Sequence, residues 1–227
     1  MLLNLENIVI TGRTFEEYSA FFDLKLEDLK SKKILDCPSG ASSFVGIANK
    51  NGSNVIGVDL IYEFDKNSIE AQGYKTIEKI YEDTSWMDVY KMDFYKSKEN
   101  HRSCREKALK DFVNDYNKTN YVFAKLPNLP FENEYFDLAL SSHLLFVYDN
   151  MLDYEFHKNS ILEMLRVSKE VRIFPLVDFK NSRVLEEKNF SPFVYKIIEE
   201  LKDFKCEIVK VDFEFQPKAN YYLKIIK

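Results

Sequence analysis

The order of apolar and polar positions divides the chain into segments of two periods. Residues 14–30, TFEEYSAFFDLKLEDLK, carry apolar side chains at helical spacing and predict a helix with Thr14 or Arg13 near its start. KKILDC at 32–37 is a short apolar run that ends in the small-residue turn CPSGASS, and FVGIANK behind it reads as a helix. NVIGVDL at 54–60 is a second buried-strand run, ending in an acid. Strand, glycine-bearing turn, helix and strand make a βαβ unit, which crosses over right-handed and pairs its strands in parallel.

Further along, Ile69, Tyr74, Ile77, Ile80 and Tyr81 keep a 3.6-residue period, and so do Ala108, Leu109, Phe112, Val113 and Tyr116. Between them DTSWMDVYKMDFYKSKEN is rich in aromatics and weakly periodic. Strands are expected at 121–124, 136–142 and 171–177, and helices at 157–168 and around Phe193, Val194, Ile197, Ile198, Leu201 and Phe204. CEIVKVDFEF (206–215) and YYLKIIK (221–227), joined by QPKAN, are close enough for an antiparallel hairpin. The sum is a Rossmann-like α/β fold: a seven-stranded, mostly parallel sheet with a C-terminal antiparallel hairpin and helices on both faces. No repeat or linker divides the chain, so it reads as one domain over 1–227. Residues 1–30 form an N-terminal helical segment, and 62–118 form a helical insertion after the second strand.

Composition narrows the function. A length of 227 residues with 45% hydrophobic positions, 19 Phe and 14 Tyr supports a real core and argues against disorder. A net charge of −5 gives no general basic surface, which argues against nucleic acid as a partner. No apolar run is long enough to span a membrane, and the start lacks the features of a signal peptide. Cys37, Cys104 and Cys206 are scattered without a paired motif, which fits a reducing, cytoplasmic setting. No His, Cys and Asp cluster has the spacing of a metal site. Glycine is scarce: of six, Gly40, Gly46, Gly52 and Gly57 fall in the first βαβ unit and none follows Gly73.

In such sheets ligands bind beyond the carboxyl ends of the strands. The candidate residues are therefore those leaving the strands. They are Asp36, Cys37, Pro38, Ser39 and Gly40 after the first strand, and Asp59 and Leu60 after the second. Lys125 and Leu126 follow the third, and Ser141, Ser142 and His143 the fourth. An acid at position 59 can accept both hydroxyls of a ribose.

These segments carry a resemblance. ILDCPSGASSF (34–44), VIGVDL (55–60), NLPFENEYFDLALSSHLLF (128–146) and the closing hairpin together resemble a class I S-adenosylmethionine-dependent methyltransferase. GRTFEEY, YEFH, VRIFPL and FEFQ, at 12–18, 154–157, 171–176 and 213–216, resemble an uncharacterised bacterial subgroup of that superfamily. The resemblance implies S-adenosyl-L-methionine as cofactor, with Asp36 through Gly40 along its methionine part and Asp59 on its ribose. Leu60 and Leu126 would flank the adenine, Lys125 would stand beside it, and Ser141 would close the site near the sulfonium. Pro38 and Ser42 occupy positions where the family usually has glycine, and Lys125 one where it often has Asp.

Methyl transfer asks mainly for alignment of a nucleophile with the sulfonium methyl, so no triad or carboxylate pair is expected. His143 is the candidate base, or else a satisfied strand-end histidine. His101 and His157 read as surface residues, and Cys37 as a small buried one. Tyr81, Trp86, Tyr90, Phe94 and Tyr95 in the insertion form either a lid over the substrate or a small core for the extra helices. The basic run 96–110 reads as a solvated helix face, with an anionic substrate or RNA as the other reading. A small-molecule acceptor is favoured, and the oligomeric state is open. Two rivals stand beside the methyltransferase: a non-catalytic protein of the same fold, and a nicotinamide-dependent oxidoreductase, which lacks its G-x-G-x-x-G turn here.

Overall fold

The computed structural model describes residues 9–177 and 190–227, so the first eight residues of the N-terminal segment lie outside the described residues. Thr14-x-x-Glu17 is a capping box: each side chain accepts from the other's backbone N–H, which starts α1 at Phe15 and runs it to Phe22. Asp23, left-handed at φ 49°, stops it. A short helix α2 (Leu26–Leu29) leads into β1 (Lys33–Asp36), α3 (Phe44–Lys50) and β2 (Asn54–Asp59), the expected βαβ unit. Asp65 and Ser97 cap the two insertion helices, α4 (Lys66–Tyr81) and α5 (Lys98–Asp115). The remaining elements are β3 (Tyr121–Phe123), β4 (Leu138–Ser142), α6 (Tyr154–Val167), β5 (Glu170–Phe174), α7 (Pro192–Glu200), β6 (Lys205–Lys210) and β7 (Tyr221–Ile226).

The seven strands form one sheet in the order β3-β2-β1-β4-β5-β7-β6, with β7 antiparallel to both its neighbours and every other pair parallel. This is the expected Rossmann-like architecture. Side chains alternate across the strands. Ile34 and Leu140 therefore face a core with Tyr18, Phe22, Phe44 and Phe112, while Leu35 and Ala139 face another with Ile161, Met164 and Ile197.

Several boundaries differ from the sequence reading, and the helix expected over 14–30 is broken into two at Asp23. The strand expected at 171–177 stops at Phe174, because Pro175 has no N–H to continue the ladder. The helix expected from 157 begins at Tyr154, where Asp153 accepts from Phe156 N–H at 2.8 Å. The strand expected at 206–215 ends at Lys210, and residues 211–220 leave the sheet before β7. Lys91 secures that excursion, donating its N–H to Phe215 O and its Nζ to Glu214, both at 2.7 Å.

Gly12 shows how tightly the N-terminal segment is docked. A Cβ there would lie 1.9 Å from Ala41 O and 2.7 Å from its carbonyl carbon. Because the obstacle is backbone, Gly12→Ala is expected to cost about 3 kcal/mol, the upper end for overpacking. The urea midpoint measures this, and an unchanged midpoint would mean the segment is not held against the turn.

Candidate active site

The turn after β1 is fixed at four points. Cys37 N–H donates to Leu140 O and Ser39 N–H to Val58 O, both at 2.9 Å. Gly40 N–H donates to Asp59 Oδ2 at 2.8 Å, and Tyr62 OH donates to Gly40 O at 2.7 Å. Gly40 sits at φ +56°, the left-handed region that glycine adopts without a Cβ penalty, and nothing lies within 4 Å of where its Cβ would be. Asp59 Oδ1 also accepts from Ile61 N–H at 3.0 Å. Each carboxylate oxygen is thus held by a backbone N–H. Burial raises the Asp59 pKa, and the backbone donors oppose that.

Beyond the strand ends lies a cavity of about 960 Å3. Cys37, Pro38, Ser39, Gly40, Asp59, Leu60, Lys125, Leu126 and His143 all line it, so the structure brings these sequence candidates together. Asp36 and Ser141 do not line it. Asp36 ends β1 on the α1 side of the sheet, fully buried, where its Oδ1 accepts from Tyr18 OH at 3.0 Å. Burial pushes its carboxyl up to about 7, against the lowering effect of such hydrogen bonds. Ser141 follows Ala139 to the opposite face, where it is buried, and Ser142 takes its place at the cavity.

His143 stands at the end of β4 at φ 58°, a conformation that costs a non-glycine residue and is held by its N–H bond to Phe174 O at 2.8 Å. Its Nδ1 shares a 2.7 Å hydrogen bond with Ser142 Oγ, and its ring packs 5.1 Å from Phe21. Burial, followed by the charges of Arg13 and Arg105, holds its pKa well below the usual value, so the ring is neutral. Burial likewise raises the Cys37 thiol, which stays protonated.

The other two histidines correct the sequence reading: neither is at the surface. His157 is fully buried, with Nδ1 2.8 Å from Asp153 O and its ring stacked on Phe146. His101 is 7% exposed and lines the cavity. It is stacked on Phe215 at 4.7 Å, meets the edge of Tyr95 at 4.4 Å, and bonds Tyr81 OH through Nδ1. Burial depresses its pKa to about 3. Between pH 6.5 and 3 the unfolded chain therefore binds a proton that the folded chain does not, and stability falls on acidification. His101→Gln, which keeps a partner for Tyr81, is expected to flatten the pH dependence of unfolding free energy by about 1.4 kcal/mol per pH unit across pH 4.5–6. Parallel slopes in denaturant titrations of the two proteins would contradict a buried neutral ring.

Residues the sequence reading did not single out line the walls or support them from behind. Glu17, fully buried, accepts from Thr14 N–H at 2.7 Å and from Tyr95 OH and Arg105 Nη2. Arg105 also donates to Gly12 O at 2.7 Å, and Arg13 Nε lies 4.0 Å from Glu17. Phe213 and Phe215 reach the cavity from the 211–220 excursion and pack against Trp86, Tyr90 and Tyr95 of the insertion. The basic run divides: Arg102 and Lys107 pair with Glu106 and Asp111 along α5, while Arg105 turns inward. One signal for the inward face was present, since His101, Arg105, Ala108 and Phe112 follow heptad spacing. Among the described residues no group of three or more His, Cys, Asp or Glu could hold a metal ion, and no helix is long and apolar enough to cross a membrane.

No family model matches the chain. It is 37% identical over 234 residues to the uncharacterized protein MJ0045 of Methanocaldococcus jannaschii, covering 98% of both chains. That relative is archaeal, so the expectation of a bacterial subgroup finds no support in it. Among solved structures, the PH0226 protein from Pyrococcus horikoshii OT3 aligns at TM-score 0.49 and 15% identity, covering 93% of this chain and 90% of that one. Magnesium protoporphyrin IX methyltransferase from Synechocystis PCC 6803 with bound SAM aligns at TM-score 0.46 and 9% identity, covering 88% and 72%.

Proposed function

We propose that this chain, which belongs to the same family as the M. jannaschii protein MJ0045, is an S-adenosylmethionine-dependent methyltransferase acting on a small molecule. The carrying observation is Asp59. It ends the strand next to β1, its two oxygens are oriented by Gly40 N–H and Ile61 N–H, and the residue lines the cavity. That is what a ribose with two adjacent hydroxyls requires.

The surrounding residues fit the rest of the cofactor. Leu60 and Leu126 offer apolar surface for the adenine, and Lys125 stands beside Leu126 at the same wall. The open space over Gly40, with Cys37, Pro38 and Ser39, suits the methionine part. The buried Asp36 holds the turn from below through Tyr18 and leaves ligand contact to its neighbours. A cavity of about 960 Å3 has room for this cofactor and a small acceptor together.

When bound, S-adenosylmethionine supplies a methyl group whose transfer breaks its C–S bond, leaves the electron pair on sulfur as a thioether and forms a bond to an acceptor lone pair. The chain's part is to align the acceptor, exclude water and receive a proton. His143 is the cavity residue placed to receive that proton; burial and the charges of Arg13 and Arg105 make its ring a weak base, which suits an acceptor that becomes strongly acidic as the methyl arrives. In the tautomer that donates Nδ1–H to Ser142 Oγ, Nε2 is the ring nitrogen that carries the lone pair. The insertion aromatics and the 211–220 excursion act as the cap that excludes water.

Calorimetry with S-adenosylmethionine, S-adenosylhomocysteine and NADH tests the reading. Binding of the first two at micromolar concentration and none of NADH is expected. Heat from NADH alone would favour an oxidoreductase, and heat from none of the three would overturn the cofactor assignment.

A further inference from the structure

We infer that the cavity wall built by Arg13, His101, Trp86, Tyr90, Tyr95 and Phe215 is a binding site for a planar aromatic acid, and that such an acid is the class of methyl acceptor. The assignment to the acceptor rests on the methyltransferase reading; the anion site does not.

Five rings shape this wall. Phe215 and His101 lie nearly parallel, 4.7 Å apart at 19°, and Tyr95, Tyr90 and Trp86 meet them edge-on at centroid distances of 4.4 to 6.3 Å. The wall is continuous with the strand ends. His143 touches Phe21, Phe21 touches Phe213 at 4.7 Å, and Phe213 lies 6.1 Å from Tyr95. Flat faces and edges of this kind take an aromatic ring in stacked or edge-to-face contact.

Charge chooses among aromatic ligands. An aromatic wall by itself would also suit an organic cation. Here two guanidinium groups, Arg13 and Arg105, stand against one carboxylate, Glu17, leaving an excess of one positive charge at the wall. His101, Tyr81 and Tyr95 are neutral and contribute no countercharge. Arg105 is spent mainly on Glu17 and Gly12 O, although its buried Nε has no partner among the described residues. Arg13 is the group with capacity to spare. Its side chain is 22% exposed, it meets Glu17 only at 4.0 Å, and its other bonds are 3.3 and 3.4 Å contacts to Thr11 O and Gly12 O. A cation at this wall would be repelled, whereas a carboxylate on the ring would pair with Arg13 in the two-pronged geometry a guanidinium favours.

Trp86 is the sole tryptophan of the chain and lines the cavity, so its fluorescence reports occupancy directly. The probes are 4-hydroxybenzoate, 4-hydroxybenzamide and 4-hydroxybenzylamine, titrated into the full chain with S-adenosylhomocysteine present and again without it. The acid is expected to quench Trp86 and to bind at least tenfold tighter than the amide, with the amine weakest. Arg13→Gln should erase the preference for acid over amide, Arg13→Lys should restore part of it, and Phe215→Leu should weaken acid and amide alike. Equal binding of acid and amide, preference for the amine, or no binding by any probe would overturn the proposal. So would an Arg13→Gln protein that loses affinity for S-adenosylhomocysteine and keeps its preference for the acid, since Arg13 would then serve the cofactor's own carboxylate. If the acid binds through Arg13 but calorimetry shows no S-adenosylhomocysteine binding, the anion site stands and the methyltransferase reading falls.

Discussion

Glu17→Ala is expected to destabilise the protein by about 3–5 kcal/mol, the cost of leaving a buried charge without its partner. Glu17 is fully buried and joins three structural pieces: it closes the cap of α1 through Thr14, receives Arg105 from α5, and accepts the Tyr95 hydroxyl from the insertion. Its removal strands the Arg105 guanidinium, which is 2% exposed and has no other carboxylate in reach among the described residues. At this chain length the loss corresponds to a fall in Tm of roughly 10 °C. A double replacement, Glu17→Leu with Arg105→Met, removes both charges and is expected to recover much of the stability, because an apolar pair of similar volume can replace a buried ion pair at little cost. Thermal unfolding of the two variants beside the unsubstituted protein decides this. A double variant no more stable than Glu17→Ala would show that the hydrogen bonds to Gly12, Thr14 and Tyr95 matter more than the charge balance.

The second large effect is on binding. Asp59→Ala is expected to weaken S-adenosylhomocysteine at least 100-fold. Hydrogen bonds to a charged group contribute about 1.5–3 kcal/mol each, and two ribose hydroxyls are at stake, so about 2.7 kcal/mol is a low estimate of the loss. The same change removes the acceptor for Gly40 N–H and loosens the turn, so Asp59→Asn, which keeps one oxygen, should fall between the two proteins. Calorimetry measures the affinities, with a melting curve of each variant as control for folding. Binding by Asp59→Ala as tight as wild type would remove Asp59 from the site.

Much of this arrangement is legible in the chain because local chemistry and tertiary structure agree. The run ILDCPSG, the helix FVGIANK and the run NVIGVD each satisfy their period and their turn residues on their own, and they fold as β1, α3 and β2. Strand ends point to the ligand region for a topological reason that needs no coordinates, which is why Gly40, Asp59, Leu126 and His143 meet at one cavity. The face on which a strand-end residue lies is harder to read, since one step in register exchanges Ser141 for Ser142 and buries Asp36 under Tyr18.

Other features escape for equally physical reasons. Phe213 and Phe215 alternate with polar neighbours as a strand would, whether they face a sheet partner or a cavity, so the departure of 211–220 from the sheet leaves no mark on periodicity. Arg105 and His101 sit in a run of lysines and glutamates that looks solvated. Their burial depends on Glu17, far away in the chain, and on aromatic neighbours from two other segments. Long-range charge pairing of this kind has no local signature.

The most direct test of the central claim is a crystal structure of the protein grown with saturating S-adenosylhomocysteine. Both ribose hydroxyls are expected within hydrogen-bond distance of the Asp59 carboxylate, with the adenine between Leu60 and Leu126 and the sulfur facing His143 across the cavity. A nucleoside seated elsewhere, or a cavity without it at saturating concentration, would remove Asp59 and the strand ends as the cofactor site.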